Sequence, residues 1–110
     1  YRAVIRFDRQ IGESDLAKLE QALADAMIAQ RTPTRVLRRR SDRVRQKRLY
    51  KVNFKMISPD TVEGVFQCDG GLYIKELISG DEGRTRPSLS EMAERKAECI
   101  ELEVLDVGEM

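Results

Sequence analysis

A single lysine in an apolar stretch is the residue of this sequence best suited to chemistry. Lys75 follows the glycine pair Gly70-Gly71, which allows positive φ angles or a close approach of the backbone. An ammonium group with apolar neighbours is partly desolvated and needs an anion beside it. Two interpretations stay open: a counter-ion for a functional carboxylate, or a lysine that reaches solvent and pairs with Glu76 or Glu82. The apolar neighbours are Tyr73, Ile74, Leu77 and Ile78.

A loop spaced by glycines follows this stretch. Gly80, Gly83, Arg84 and Arg86 lie within a few residues of one another. Main-chain N–H groups exposed by glycine, together with two guanidinium groups, suit a phosphate group. Such loops are frequent, so the pattern alone indicates only a candidate anion site.

The basic segment, residues 31–51, gives the clearest indication of a partner. It holds ten Lys or Arg residues and one acid, Asp42, a local balance of +9 in a chain whose formal net charge is +1. If the segment is extended, alternate arginines line one surface at spacings comparable with nucleic-acid phosphates. The alternative is a solvated strand edge guarded by charge, but a guard strand usually mixes signs. We therefore favour nucleic-acid binding, without the spacing of a helix-turn-helix or a zinc finger.

The remaining composition narrows the class of protein. Residues 88–110 carry seven acids against Arg95 and Lys96, so a basic segment is offset by an acidic tail. Cys68 and Cys99 lie far apart and the chain has no histidine, so we expect two reduced thiols on strand faces, no metal and a cytoplasmic location. No apolar run approaches the length that spans a bilayer.

The first half of the chain predicts a strand, a helix and a second strand. Residues 1–7 are rich in β-forming side chains. Ser14 is the expected cap of a helix over residues 15–28, about four turns long. Its apolar stripe is Leu16, Leu19, Leu23 and Met27. From residue 48 to residue 57, Tyr50, Val52, Phe54 and Met56 alternate with polar residues, which predicts a half-buried strand.

The second half predicts a hairpin arm, a short helix and a last strand. A turn at residues 58–60 precedes a strand over residues 61–68. Residues 73–78 are the expected short helix, and residues 79–87 a loop. Residues 98–107 form the expected last strand, with Ile100, Leu102 and Val104 on one face and Glu101 and Glu103 on the other. This order predicts an α+β fold, an antiparallel or mixed sheet covered on one side by helix.

Three stretches together resemble a known family. They are QRTPTRVLRRRSDRVR (30–45), GGLYIKELISGDEGRTRP (70–87) and the closing Leu105-Asp106-Val107. In this order they resemble the C-terminal part of the catalytic domain of pseudouridine synthase ten, the archaeal and eukaryotic tRNA enzyme of the T-loop. The resemblance covers nearly all of residues 1–110, which we expect to be one domain or subdomain of a longer chain. It implies an isomerase that needs no metal or organic cofactor.

The resemblance assigns roles to two residues. Tyr1, with Ala3 two places on, matches the tyrosine that the family stacks on the target base. Lys75 matches the basic position that pairs with the catalytic aspartate and keeps it ionised. The family has a histidine where this chain has Arg38, so a role for that histidine does not transfer. The tRNA-binding residues implied are Arg31, Arg35, Arg38, Arg39, Arg40, Arg43, Arg45, Arg84 and Arg86.

The catalytic aspartate of the family has no counterpart among residues 1–110. It lies in an upstream arginine-rich segment, and the N-terminal RNA-binding region is expected upstream as well, so this chain alone is expected to be inactive. Two other hypotheses remain: a non-catalytic RNA-binding module, and a protein-interaction domain that associates through its segregated charges. A dimer formed through a sheet edge exposed at Tyr1 would be an artefact of truncation.

Overall fold

Six strands and three helices make up the fold of residues 1–105, which a computed structural model describes. In chain order the elements are β1 (Arg2–Phe7), α1 (Glu13–Leu23), β2 (Ala26–Arg31), β3 (Val44–Ser58), β4 (Thr61–Cys68), α2 (Ile74–Ser79), β5 (Thr85–Arg86), α3 (Leu89–Ala93) and β6 (Ala97–Glu103). Single 3₁₀ turns lie at Thr34–Val36 and Asp81–Gly83. None of the helices in this range is long and apolar enough to cross a membrane.

One antiparallel sheet contains all six strands, in the order β5-β2-β3-β4-β1-β6. Helix α1 packs on β3, α2 packs on β6, and α3 contacts both helices. Their buried side chains join those of the strands in one hydrophobic core. The predicted α+β class and the antiparallel sheet are confirmed.

Alternating burial explains the central strands. In β1, Ala3, Ile5 and Phe7 face the helices and are at most 1% exposed. In β4, Gly64 lies on the same face, where a Cβ atom would come within 3.0 Å of the Phe66 ring. The absence of a side chain at Gly64 therefore leaves space for the Phe54 ring of β3 and the Phe66 ring of β4. These rings meet edge to face, with their centres 6.3 Å apart. The hairpin arm predicted at residues 61–68 is confirmed.

Helix α1 is shorter than its sequence pattern predicts. Its buried stripe of Leu16, Leu19 and Leu23 is confirmed. The predicted cap Ser14 and the predicted end at residue 28 are wrong: Gly12 is the N-cap, and the helix ends after about three turns. Asp25 adopts a φ of 57°, which reverses the chain and starts β2. Met27 is therefore a strand residue, 45% exposed.

Strand β3 is longer than predicted, and its register shifts at Tyr50. It begins at Val44 within the basic segment and carries a bulge between Leu49 and Lys51 against β4. The bulge turns Tyr50 outward, where it is 46% exposed, and Leu49 takes the inward position. The prediction that Tyr50 shares the buried face is wrong for this reason.

The C-terminal strand is confirmed over Ala97–Glu103, while residues 106 and 107 of its predicted extent lie outside the described residues. A register shift against β1 leaves Ile100 as an extra residue. Strands β2 and β5 and helix α3 are elements that the sequence reading did not predict. Cys68 and Cys99 are free and half-buried on β4 and β6.

Candidate functional site

A buried glutamine ties the end of β2 to the start of α2. Gln30 is 3% exposed, and its amide nitrogen donates to the main-chain oxygen of Tyr73 at 2.9 Å. Its amide oxygen accepts from the Tyr73 main-chain N–H at 3.0 Å. One side chain thus pairs with Tyr73 as a neighbouring strand would. The residue before the lysine-bearing helix is therefore fixed to the sheet.

A second tie joins Arg35 to Glu76 on α2. The Arg35 Nε donates to the Glu76 carboxylate at 2.8 Å, and Nη2 donates to its other oxygen at 3.3 Å. The Glu76 side chain is only 9% exposed, whereas that of Arg35 is 51% exposed. The guanidinium carbon lies 5.8 Å from the centre of the Tyr73 ring. These hydrogen bonds to Glu76 raise the pKa of Arg35 above its ordinary value, against partial desolvation.

Arg84 closes the base of a loop formed by residues 32–43. Its Nε and Nη2 donate to the main-chain oxygen of Thr32, at 3.1 and 2.9 Å. Its Nη2 also donates to Asp42 at 2.7 Å, and Arg31 donates to the same carboxylate at 3.2 Å. Asp81 accepts from the main-chain N–H of Thr34 at 2.9 Å. The glycine-spaced loop, predicted to hold a phosphate, uses Arg84 to hold this protein loop.

The tip of that loop presents a group of exposed arginines. Residues 37–40 form a turn and residues 41–43 are irregular, so the extended arrangement considered for this part is not adopted. Four arginines of the loop are exposed and have no carboxylate of residues 1–105 within salt-bridge distance: Arg38, Arg39, Arg40 and Arg43. Arg86 is exposed on β5, 3.8 Å from Glu91.

Two further cations lie on the helix-bearing face of the sheet. The register sets Gln30 opposite Arg45 and Ile28 opposite Lys47, and directly opposed residues share a face. Because Ile28 and Gln30 are buried toward the helices, Arg45 and Lys47 point the same way. The Lys47 ammonium lies beside Gly71, whose φ is 88°. The glycine pair therefore turns the chain past a cation, as its predicted positive φ allows.

Tyr1 extends β1 alongside β4. Its main-chain N–H donates to the Phe66 oxygen at 3.1 Å, and its oxygen accepts from the Phe66 N–H at 2.8 Å. Because strand side chains alternate, its ring lies on the face of Ala3 and Ile5. The ring is half-buried and packs against the edge of the core.

Lys75 projects from the first turn of α2, near β6. Its neighbours Ile74, Leu77 and Ile78 are buried, as expected, but Lys75 itself is exposed among the described residues. Helix α2, which carries Lys75, packs on β6. Its buried side chains join the core formed by Ala3 and Ile5, against which the Tyr1 ring packs. Tyr1 and helix α2 therefore lie on the same side of the sheet.

A cleft of about 570 Å³ opens at another place on the surface. It lies between β1, the start of β6 and the 3₁₀ turn after α2, and it contains neither Tyr1 nor Lys75. Its lining mixes both signs of charge, with Arg6 and Lys96 beside Asp81 and Glu98. A lining of mixed sign does not favour a polyanion, so we place the candidate site on the side of the sheet that carries Tyr1 and helix α2.

The family model described as "Pus10, C-terminal" matches residues 1–108, which include every strand and helix described above. The chain belongs to this Pus10 C-terminal family.

Curated relatives agree with this assignment. The chain is 47% identical over 99% of its length to tRNA pseudouridine synthase Pus10 of Ignisphaera aggregans and 50% identical over 97% to that of Korarchaeum cryptofilum. It is 45% identical over 97% to the protein of the same name from Methanocaldococcus jannaschii. The chain spans 25%, 28% and 24% of the length of these three relatives, about a quarter.

Proposed function

We propose that this chain is the C-terminal part of a tRNA pseudouridine synthase that isomerises uridines of the T-loop. The observation that carries the proposal is that Tyr1 and the lysine-bearing helix α2 lie on one side of the sheet, with the basic loop tied to that helix through Arg35 and Glu76. The names of the relatives support the reaction, and the two motifs that produced the resemblance are in direct contact through Gln30 and Arg35.

The reaction is an isomerisation that balances without a redox partner or cofactor. The bond between the ribose C1′ and uracil N1 breaks, the base rotates, and a bond forms between C1′ and C5. The C5 proton leaves and N1 gains one, so the formula is unchanged. In this scheme the Tyr1 ring stacks on the base while it is detached, which keeps it from diffusing away.

Lys75 supplies positive charge to an aspartate from elsewhere in the longer protein. A positive charge within about 4–6 Å of a carboxylate lowers the pKa of that carboxylate by about 1–3 units. That interaction favours the ionised carboxylate that must act on the ribose. In the structure of residues 1–105, Lys75 is exposed, so a carboxylate from elsewhere in the longer protein can reach its ammonium group.

The loop arginines supply affinity for tRNA rather than chemistry. Guanidinium groups bind phosphate oxygens through paired N–H donors, and each contact releases counterions from the RNA. Arg38, Arg39 and Arg40 at the tip have their charges exposed for this purpose. A reducing cytoplasm, where tRNA is modified, suits the free thiols Cys68 and Cys99.

The test is Lys75→Ala in the complete gene product, with Lys55→Ala as the matched control on the opposite face of the sheet. Lys75→Ala should lower single-turnover conversion of T-loop uridine by about 100-fold or more and change the Kd for tRNA by less than about threefold. Lys55→Ala should change neither quantity. Normal turnover of the Lys75→Ala protein would show that the counter-ion role is wrong.

A non-catalytic RNA-binding module is the second candidate, and the exposed arginines of the loop tip favour it independently of Lys75. This candidate predicts salt-dependent tRNA binding by the complete gene product with no loss of uridine. Quantifying pseudouridine by mass spectrometry after incubation with unmodified tRNA separates the two candidates.

A further inference from the structure

The environment of Arg35 differs from that of its neighbours in the basic segment. Both oxygens of a carboxylate accept from it, and that carboxylate belongs to the buried Glu76. Arg38 and Arg39, a few residues on, are exposed without a carboxylate within salt-bridge distance in the part of the chain that the structure describes. Arg35 is thus committed to the protein, although its sequence context matches the other arginines.

The contacts of Arg35 lead directly to Lys75. Glu76 follows Lys75 on α2, and the Tyr73 ring under the Arg35 guanidinium belongs to the N-cap residue of that helix. Helix α2 has six residues and no side-chain cap at its start. A helix this short is not stable by itself, so tertiary contacts must set its position.

The carboxylate of Glu76 is paired with Arg35 where little solvent reaches it. Its side chain is 9% exposed, and the Arg35 Nε lies 2.8 Å from one of its oxygens. Without Arg35, a buried carboxylate next to Lys75 would have no guanidinium partner. Loss of Arg35 would therefore disturb the turn of α2 that carries Lys75.

We propose that Arg35 is a positioning residue for Lys75 rather than a tRNA contact. With Glu76 it holds the first turn of α2 against the base of the loop, and this fixes the point from which Lys75 projects. The inference rests on the proposed function for its catalytic consequence, while the assignment of Arg35 to Glu76 can be tested without any reaction.

The kinetic test compares Arg35→Ala and Glu76→Ala with Arg39→Ala in the complete gene product. Arg35→Ala and Glu76→Ala should each lower single-turnover kcat by at least about tenfold, with the Kd for tRNA within about threefold of the original. Arg39→Ala should weaken tRNA binding, whereas Lys55→Ala, on the opposite face of the sheet, should change neither kcat nor Kd. Because the pair acts as a unit, the double variant should lose no more kcat than either single variant.

Two results would overturn the proposal. One is an Arg35→Ala protein that binds tRNA as weakly as Arg39→Ala with a normal kcat. The other is a double variant whose losses multiply, which would mean that Arg35 and Glu76 act separately. If Arg35→Ala does not fold, the isosteric Glu76→Gln, which weakens the same pair, takes its place and should show the same split between kcat and Kd.

An NMR measurement tests the pairing independently of turnover. The Nε–Hε resonance of Arg35 should shift in Glu76→Gln and stay in place when tRNA is added, whereas that of Arg39 should move with tRNA. A wild-type protein that makes no pseudouridine would contradict the proposed function. The NMR shifts would still show whether Arg35 is paired with Glu76 or contacts tRNA. Movement of the Arg35 resonance to the same extent as that of Arg39 would show that it is a tRNA contact.

Discussion

Neutralising the loop tip should change the salt dependence of tRNA binding in a calculable way. The perturbation is the triple variant Arg38→Gln, Arg39→Gln and Arg40→Gln. All three side chains are exposed and lie on a turn whose base is held by Arg84. Removing them should therefore leave the fold of the loop intact while it removes charge.

The magnitude follows from counterion release. Each phosphate neutralised on a duplex contributes about 0.9 to the slope of log K against log salt concentration, so three contacts contribute about 2.7. At roughly 0.15 M salt each contact is worth about 1 kcal/mol, so the triple variant should bind tRNA on the order of 100-fold more weakly. If the T-arm is contacted in single-stranded regions, the slope change falls to about 2.1.

The assay is fluorescence anisotropy of labelled tRNA with the complete gene product between about 50 and 300 mM salt, a range over which counterion release changes affinity strongly. The matched control is the triple variant Lys18→Gln, Lys55→Gln and Lys96→Gln, which removes the same charge from exposed positions outside the basic segment. A loop variant and a control with the same slope would mean that net charge, not the loop, attracts the tRNA.

Two further predictions concern stability, both measured by urea unfolding of the chain. Gly80→Ala should lower the free energy of unfolding by about 1–3 kcal/mol, because Gly80 has a φ of 87° and an added Cβ atom would lie 2.9 Å from the Ser88 Oγ. The control is Gly70→Ala, which should be close to neutral because an added Cβ atom would meet nothing within 4 Å. Equal effects of the two substitutions would contradict the reasoning. Asp69 accepts hydrogen bonds from the Arg48 main-chain N–H of β3 and from the Tyr50 hydroxyl, and these bonds lower the pKa of Asp69. Its contribution to the free energy of unfolding is therefore fully present above the unfolded pKa of about 3.9 and is lost as the pH falls through the lower pKa of the folded state. Asp69→Asn should flatten the acid side of the stability profile, and an unchanged profile would refute that role.

The fold class was predictable because β3, β4 and β6 alternate apolar and polar residues and residues 1–7 are rich in β-forming side chains, and the errors have identifiable causes. Leu16, Leu19 and Leu23 continue at helical spacing to Met27, so periodicity alone extends α1 into β2. In the structure the helix ends before Asp25, whose backbone has a positive φ, which is uncommon for a residue other than glycine. Strand β2 was missed because one of its inward positions holds the polar Gln30, which looks like a surface residue in sequence.

The candidate site was predictable as a set of segments and not as a set of contacts. The motifs around Lys75 and the basic segment were visible in sequence, but the commitment of Arg35 to Glu76 was not. In a run of arginines, one that pairs with a distant buried acid has the same local sequence as one that faces solvent. One feature of the sequence could have indicated the pair: Glu76 is an acid among the apolar residues that α2 buries, and a buried acid needs a cation as its partner.

The pairing of Gln30 with the backbone of Tyr73 has a consequence for protein engineering. Asparagine is one methylene too short to place its amide at the same point, and glutamate lacks the donor that the Tyr73 oxygen requires. A chimaera that imports the basic loop from a homologue must therefore keep a glutamine at position 30, two residues before the loop begins. Otherwise the grafted loop and the lysine-bearing helix would lose their common alignment, even if every arginine were transferred correctly.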